Sequence, residues 1–284
     1  MENKCIKISI VFVLLIVSSI SLFGQSKIVV KKSHKEKERQ QAEKLWEQII
    51  EVKGGRKKLH SINNMLLIKG GLKHPAGIGV YLNVYPNKYW RWKTGPPAPE
   101  VTWTSMINLN YRVYQVATEK AILKDDRLTK KGHKSMLATT FAESCIHLLE
   151  TKWLQPKPIR VERKQLGNEN LDVVETRLYN AEIGLDERMD FAVDPETLFV
   201  RWIIDYYKGK ALFYYYYDKY TTVDGIQMPI RRSRPRGIKH KKKRYFMPLK
   251  FEFNVEYDNE IFERSLTANS KMDDWKPKTK KRTQ

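Results

Sequence analysis

The residues able to do chemistry are sparse and scattered. The histidines His34, His60, His74, His133, His147 and His240 fall in no HxH or HExxH pattern, and Cys5 and Cys145 form no CxxC. Such spacings put ligands on one helix face or strand repeat, as a bound ion requires, so no metal site and no cofactor is signalled. Cys145 sits in an apolar helical stripe with no cationic neighbour to lower its pKa, which suits a buried thiol better than a nucleophile. His147, two residues on, points to a different helical face from Cys145. There is no GxSxG elbow and no phosphate-cradling GxxxxGK. One acidic concentration stands out in a basic chain: Asp186, Glu187, Asp190, Asp194 and Glu196. Two of these could work as an acid/base pair or hold calcium, and strand-edge and turn carboxylates would look the same.

Two other constellations could bind rather than react. Phe213-Tyr214-Tyr215-Tyr216-Tyr217 puts rings on both faces of one strand, so each face must meet something apolar or amphipathic. Core packing satisfies that requirement, and so does a lipid- or glycan-contacting wall. The run 231–244 holds Arg231, Arg232, Arg234, Arg236, Lys239, Lys241, Lys242, Lys243 and Arg244, whose mutual repulsion predicts an exposed loop. It reads either as a solvated loop or as a dock for an anionic membrane surface, at roughly 1 kcal/mol per basic residue near that surface.

The elements that must carry these residues follow from pattern. Lys4 and Lys7 precede an uncharged apolar run from Ile8 to Phe23, then Gly24, the layout of a secretory signal peptide over 1–24. At about 16 residues the run is shorter than the roughly 20 that cross a bilayer, and cleavage after Gly24 is the expectation. An uncleaved run would tether the protein to the membrane instead. Cys5 precedes the apolar run, so it cannot be the acylated cysteine of a lipoprotein. The compartment predicted is the periplasm, out of reach of nucleic acid. About 260 residues remain, enough for one large β-rich domain, and 41% of the chain is hydrophobic. Lys and Arg outnumber Asp and Glu by 53 to 32, a net charge of +21 that favours anionic partners.

After a linker over 25–32, Ser33 and Glu36 have capping-box spacing, so a helix starts there. Ala42, Leu45, Trp46, Ile49, Ile50 and Lys53 recur at helical spacing, and Gly54-Gly55 offers the left-handed stop. Arg56 to Ile62 reads as a short second helix. Ala138, Phe141, Ala142, Cys145, Leu148 and Leu149 mark another, ended by Pro156 and Pro158. Between and after the helices lie alternating runs: Met65–Ile68, Ile78–Tyr85, Lys88–Lys93, Val101–Met106, Tyr111–Ala117, Ile159–Leu166, Leu171–Tyr179, Glu187–Val193, Leu198–Tyr207, Ala211–Thr222 and Lys250–Tyr257. The residues from 271 to 284 are basic and poor in apolar side chains, a tail.

The segment Leu45-Trp46-Glu47-Gln48-Ile49-Ile50-Glu51-Val52-Lys53-Gly54-Gly55-Arg56-Lys57-Lys58-Leu59, followed by Ile62, resembles the opening helix and Gly-Gly turn of periplasmic outer-membrane lipoprotein carriers, the LolA/LolB-like superfamily. Asp194-Pro195-Glu196-Thr197-Leu198 resembles the same proteins, as do Asp218-Lys219-Tyr220 and Val223-Asp224-Gly225-Ile226-Gln227-Met228-Pro229. The resemblance covers about residues 40 to 265 and implies an α+β fold. In it a strongly curved antiparallel sheet, an unclosed half-barrel here of about ten or eleven strands, is covered by two or three helices. It further implies a non-enzymatic carrier that holds a lipid or the acyl chains of a lipidated protein over 33–270, and the chain is expected to act as a monomer. Trp46, Ile49, Phe141, Leu148, Trp202, Tyr214, Tyr216, Phe251 and Phe253 are the expected cavity residues, and Arg231, Arg232, Arg234, Arg236, Lys241, Lys242, Lys243 and Arg244 the expected contacts to an anionic surface. The alternatives are an envelope hydrolase built on the acids from Asp186 to Glu196, and a structural module that holds acidic glycan.

Overall fold

The computed structural model describes residues 34–70, 77–86, 88–94, 100–107, 110–117, 120–124, 146–181, 185–207, 209–235, 237–238 and 246–259, with backbone alone between 91 and 124. The signal segment, the linker, the basic tail, Phe141, Arg236 and Lys241 to Arg244 lie outside the described residues.

Helix α1 spans 34–53 and buries Ala42, Trp46, Ile49, Ile50 and Lys53 on one stripe, as its 3.6-residue period requires. It stops at Gly54 and Gly55, both with positive φ (138° and 82°), where the Gly55 amide returns to the Ile50 carbonyl at 2.9 Å. A Cβ on Gly54 would sit 2.8 Å from the Gly225 carbonyl oxygen, so glycine also lets this joint abut a distant turn. Helix α2, Arg56–His60, follows at once and buries Leu59.

The chain then forms two antiparallel meanders. The first runs through β1 (Asn64–Gly70), β2 (Ile78–Val84), β3 (Lys88–Thr94), β4 (Glu100–Ile107), β5 (Asn110–Ala117) and β6 (Lys120–Lys124). The second runs through β7 (Lys157–Leu166), β8 (Glu169–Asn180), β9 (Leu185–Val193), β10 (Val200–Tyr207) and β11 (Lys210–Tyr217). A hairpin of β12 (Tyr220–Val223) and β13 (Ile226–Pro229) precedes β14 (Arg231–Ser233) and β15 (Met247–Phe253). The last two strands join the meanders into one thirteen-stranded sheet, ordered β6-β5-β4-β3-β2-β1-β15-β14-β11-β10-β9-β8-β7. Because β6 and β7 are both edges, the sheet is unclosed, and with its helical cover it is the α+β half-barrel expected.

The strand count exceeds ten or eleven for local reasons. The single strand expected over Ala211–Thr222 breaks at Asp218-Lys219, where Asp218 turns to pair with Arg231. The basic run does not begin as a loop, since Arg231–Ser233 pairs with both β11 and β15. The last strand starts at Met247 and ends at Phe253, because Asn254 takes a left-handed φ of 50° and its side-chain oxygen accepts from the Asn63 amide at 2.8 Å. Helical residues near Leu148 span 146–148 among those described, and Leu149, at φ 69°, ends the helix well before Pro156.

Strand alternation divides the apolar residues between two faces. Trp46, Ile49, Ile50, Leu59, Leu148, Met65, Leu67, Val174, Leu178, Phe191, Tyr215, Tyr217, Met228, Phe251 and Phe253 form the core beneath the helices. Leu171, Val173, Ala192, Trp202, Ile204 and Tyr216 form a smaller cluster on the opposite face, where Ile238 and Phe246 pack from the ends of the basic run.

Candidate functional site

The acids from Asp186 to Glu196 do not assemble into a pair that could share a proton. Asp186 accepts twice from Arg177, at 2.6 and 2.7 Å. Asp190 accepts from Arg188 at 2.7 and 2.8 Å and from the Tyr206 hydroxyl at 3.0 Å. Asp194 caps its own turn, accepting the Glu196 and Thr197 amides at 2.9 Å each, which holds its carboxyl below the usual range. Burial raises Glu187, the remaining acid of β9, on the other face. Among the described residues no group of three or more His, Cys, Asp or Glu is placed to hold a metal ion.

The unusual chemistry lies under the helices. Lys53 is the last residue of α1, and the stripe that buries Ile49 and Ile50 carries its amine inward, leaving 6% of the residue exposed. The amine donates to the Gln227 carbonyl and lies 3.2 Å from Met228 Sδ. Burial lowers its pKa from 10.5 to about 7. Arg232 on β14 lies opposite Tyr217 on β11, which directs it to the same face, and its guanidinium is 5.0 Å from the Tyr215 ring centre. Among the described residues neither Lys53 nor Arg232 has a carboxylate within ion-pair distance.

His147 shares a cleft with Lys53 and lies within reach of the charges of both cations. Its residue is 2% exposed, its ring meets Phe251 edge-on at 5.2 Å and Tyr217 at 6.4 Å, and among the described residues neither ring nitrogen has a hydrogen-bond partner. Burial, then the charges on Lys69, Arg232 and Lys53, push its pKa well below the usual value, so it is neutral at pH 7. Two unmade hydrogen bonds on a buried imidazole cost about 1–3 kcal/mol each. The nearby carboxylate of Glu150, itself buried, is engaged elsewhere: Arg56 donates to it at 2.7 Å and His60 lies at 3.0 Å, which ties α2 to the turn after Leu148. Lys53, His147, Tyr217, Tyr220 and Gln227 line a common cleft with an internal volume of about 10 Å³, room for one water.

The expected cavity residues divide between the two faces. Trp46, Ile49, Leu148, Phe251 and Phe253 come together beneath the helices, with Trp46 packing on Phe191 at 5.0 Å. Trp202, Tyr214 and Tyr216 belong to the opposite face, so they line no common cavity with the others. There Glu169 accepts from Arg201 at 2.7 Å and from the Trp202 indole at 3.3 Å, a packing network. The rings on the helix-covered face are instead Phe213, Tyr215 and Tyr217. The basic set divides too. Arg231 pairs with Asp218 and covers Phe246 at 4.7 Å, Arg232 turns inward, and Arg234 is exposed with its guanidinium 3.9 Å from the Phe213 ring centre.

Lys53 lies on the buried stripe that the sequence predicts, and His147 takes a helical position that announces nothing of its burial. The available signal for Lys53 was a lysine at an otherwise apolar helical position.

The sequence matches no protein-family model and no curated protein. Solved structures similar in fold include a LolA superfamily protein from Nitrosomonas europaea, at 14% identity and a TM-score of 0.42, covering 76% of this chain and 96% of that one. A DUF1329 family protein from Desulfovibrio piger is similar at 8% identity and a TM-score of 0.40, covering 78% of this chain and 96% of that one.

Proposed function

We propose that the protein is a non-enzymatic periplasmic carrier that holds a lipid, or the acyl chains of a lipidated protein, between its open sheet and its helices. The observation that carries this reading is the composition of the cover. One apolar face of an unclosed sheet is covered by α1 and α2, joined through two glycines, by the turn around Leu148 and by the β12–β13 hairpin, whose Ile226 and Met228 pack in the same core. Helices packed by side chains such as Trp46 on Phe191 can shift without breaking a strand ladder, and each methylene then buried contributes about 0.8 kcal/mol. The secretory layout of residues 1–24 supports export, and the exposed Arg234 together with the basic residues that follow it supports approach to an anionic membrane.

The test is to express the full chain with its own leader in a bacterial host, locate it by fractionation, and extract the purified protein for lipid mass spectrometry. Co-purifying lipid near stoichiometry and displacement of a fluorescent fatty acid are expected. Absence of both overturns the reading, and retention in the cytoplasm overturns its periplasmic part.

A further inference from the structure

Charges buried without a counter-charge are costly, so proteins pair them, neutralise them or use them. Among the described residues, buried Lys53 and partly exposed Arg232, directed to the same face of the sheet, have no carboxylate within ion-pair distance, although arginines pair with buried or half-buried acids elsewhere, at Glu150, Glu175 and Asp190. His147 adds a second, independent observation, since it is 98% buried in the cleft that Lys53 lines, with neither ring nitrogen partnered among the described residues. A neutral imidazole has one N–H to give. An ammonium, a guanidinium and that N–H together are the donor set an oxyanion takes.

We propose that Lys53, His147 and Arg232 form a recognition site for the acidic head of the carried amphiphile, a carboxylate or phosphate oxyanion. The site rests on the carrier reading for its source of ligand and on its own geometry for its chemistry. Lys53 and Arg232 supply charge, and His147 donates from one nitrogen while its ring stays against Phe251. The tail of the ligand then continues along the rings of Phe251 and Tyr217, which adjoin the imidazole. The cleft holds only a water-sized space, so the head enters when the end of α1 moves away from β13, separating the Lys53 amine from the Gln227 carbonyl.

The experiment titrates the full chain with oleate, with oleyl alcohol and with inorganic phosphate, in the wild type and in the Lys53→Met and His147→Phe variants. The wild type is expected to bind oleate about ten- to a hundredfold more tightly than the alcohol, the worth of one or two charge-assisted hydrogen bonds. Lys53→Met should lose most of that preference while binding the alcohol as before, and its melting temperature should not fall, which separates lost recognition from lost folding. His147→Phe keeps an aromatic ring against Phe251 and should lose a smaller part of the preference. Equal affinity of the wild type for oleate and alcohol, or an unchanged preference in Lys53→Met, overturns the proposal. Phosphate that competes with oleate at millimolar concentration identifies the oxyanion as the recognised part. If neither amphiphile binds but phosphate raises the melting temperature of the wild type and not of Lys53→Met, the carrier reading fails and the oxyanion site stands. If phosphate has no effect either, both fall.

Discussion

The two faces of the sheet treat their basic side chains differently. On the face away from the helices, Arg160, Glu175, Arg188 and Asp190 interleave across β7, β8 and β9, and Arg177 pairs with Asp186. Beneath the helices Lys53 and His147 line one cleft, Arg232 is directed to the same face, and among the described residues no carboxylate pairs with any of the three. Where water is nearest, and a charge costs least to leave alone, the charges are matched. Where burial makes an unmatched charge expensive, the carboxylates of Asp190 and Glu150 are matched and the Lys53 amine is not. A sequence selected for stability alone would match Lys53 as well, so this interior cation points to a partner that brings the negative charge with it.

The largest effect expected from this contrast is a gain in stability. A fall in the Lys53 pKa from 10.5 to about 7 corresponds to about 5 kcal/mol of penalty on the folded state, offset in part by its hydrogen bond to Gln227. Between those pH values the unfolded chain holds a proton that the folded chain has lost, so the stability of the wild type rises with pH across that window. Below pH 7 the penalty is complete. Lys53→Met is therefore expected to be more stable than the wild type by several kcal/mol at pH 7, with the gap closing toward pH 10.5. Denaturant titration at a series of pH values measures it, and a destabilised variant at pH 7 would show that the amine is satisfied where it lies.

Asp190→Ala should do the opposite on the other face. Asp190 is buried and accepts from Arg188 and from Tyr206, whose hydroxyl is pushed up to about 12 by burial and by that carboxylate. Its removal should cost about 2–3 kcal/mol while leaving the preference for oleate over alcohol intact. A smaller signal comes from His147. Its pKa is depressed, so below about pH 6.5 the unfolded state takes up a proton that the folded state refuses, and stability falls with pH by about 1.4 kcal/mol per unit. His147→Phe should flatten that slope in the pH range just below 6.5, and an unchanged slope would show that the ring is reached by solvent.

What the sequence made legible was whatever depends on period and local turn chemistry. The stripe from Ala42 to Lys53, the Gly54-Gly55 stop and most strands are of this kind. The faces of β11 were not legible, because five consecutive rings carry no polar alternation. Only the pairing of Tyr217 with Arg232 shows which of them turn inward. β14 was hidden for a related reason: a strand written in arginines reads as a repelling loop until Asp218 and Phe246 arrive from elsewhere to accommodate Arg231. The left-handed turn at Leu149 has no glycine to announce it, so the placement of His147 in one cleft with Lys53 could not be foreseen from its helix. Nor could the acids of β9 be assigned, since their arginine partners lie on neighbouring strands.

The smallest effect separates matching that matters from matching that does not. Arg177 and Asp186 form a bidentate pair, yet both side chains are about half exposed, 58% and 48%, and water would solvate either one alone. Exposed pairs of this sort gain little, because side-chain entropy and screening by salt offset the Coulomb attraction. Arg177→Ala is thus expected to leave the denaturation midpoint within experimental error at physiological salt, and to leave both amphiphile affinities unchanged. The same substitution should lower the net charge without weakening oleate binding, since the attraction that matters is set by contact beneath the helices and not by the long-range field of a +21 chain. A loss of oleate affinity in Arg177→Ala matching that in Lys53→Met would mean that general positive charge, rather than the Lys53, His147 and Arg232 cluster, draws the anion in.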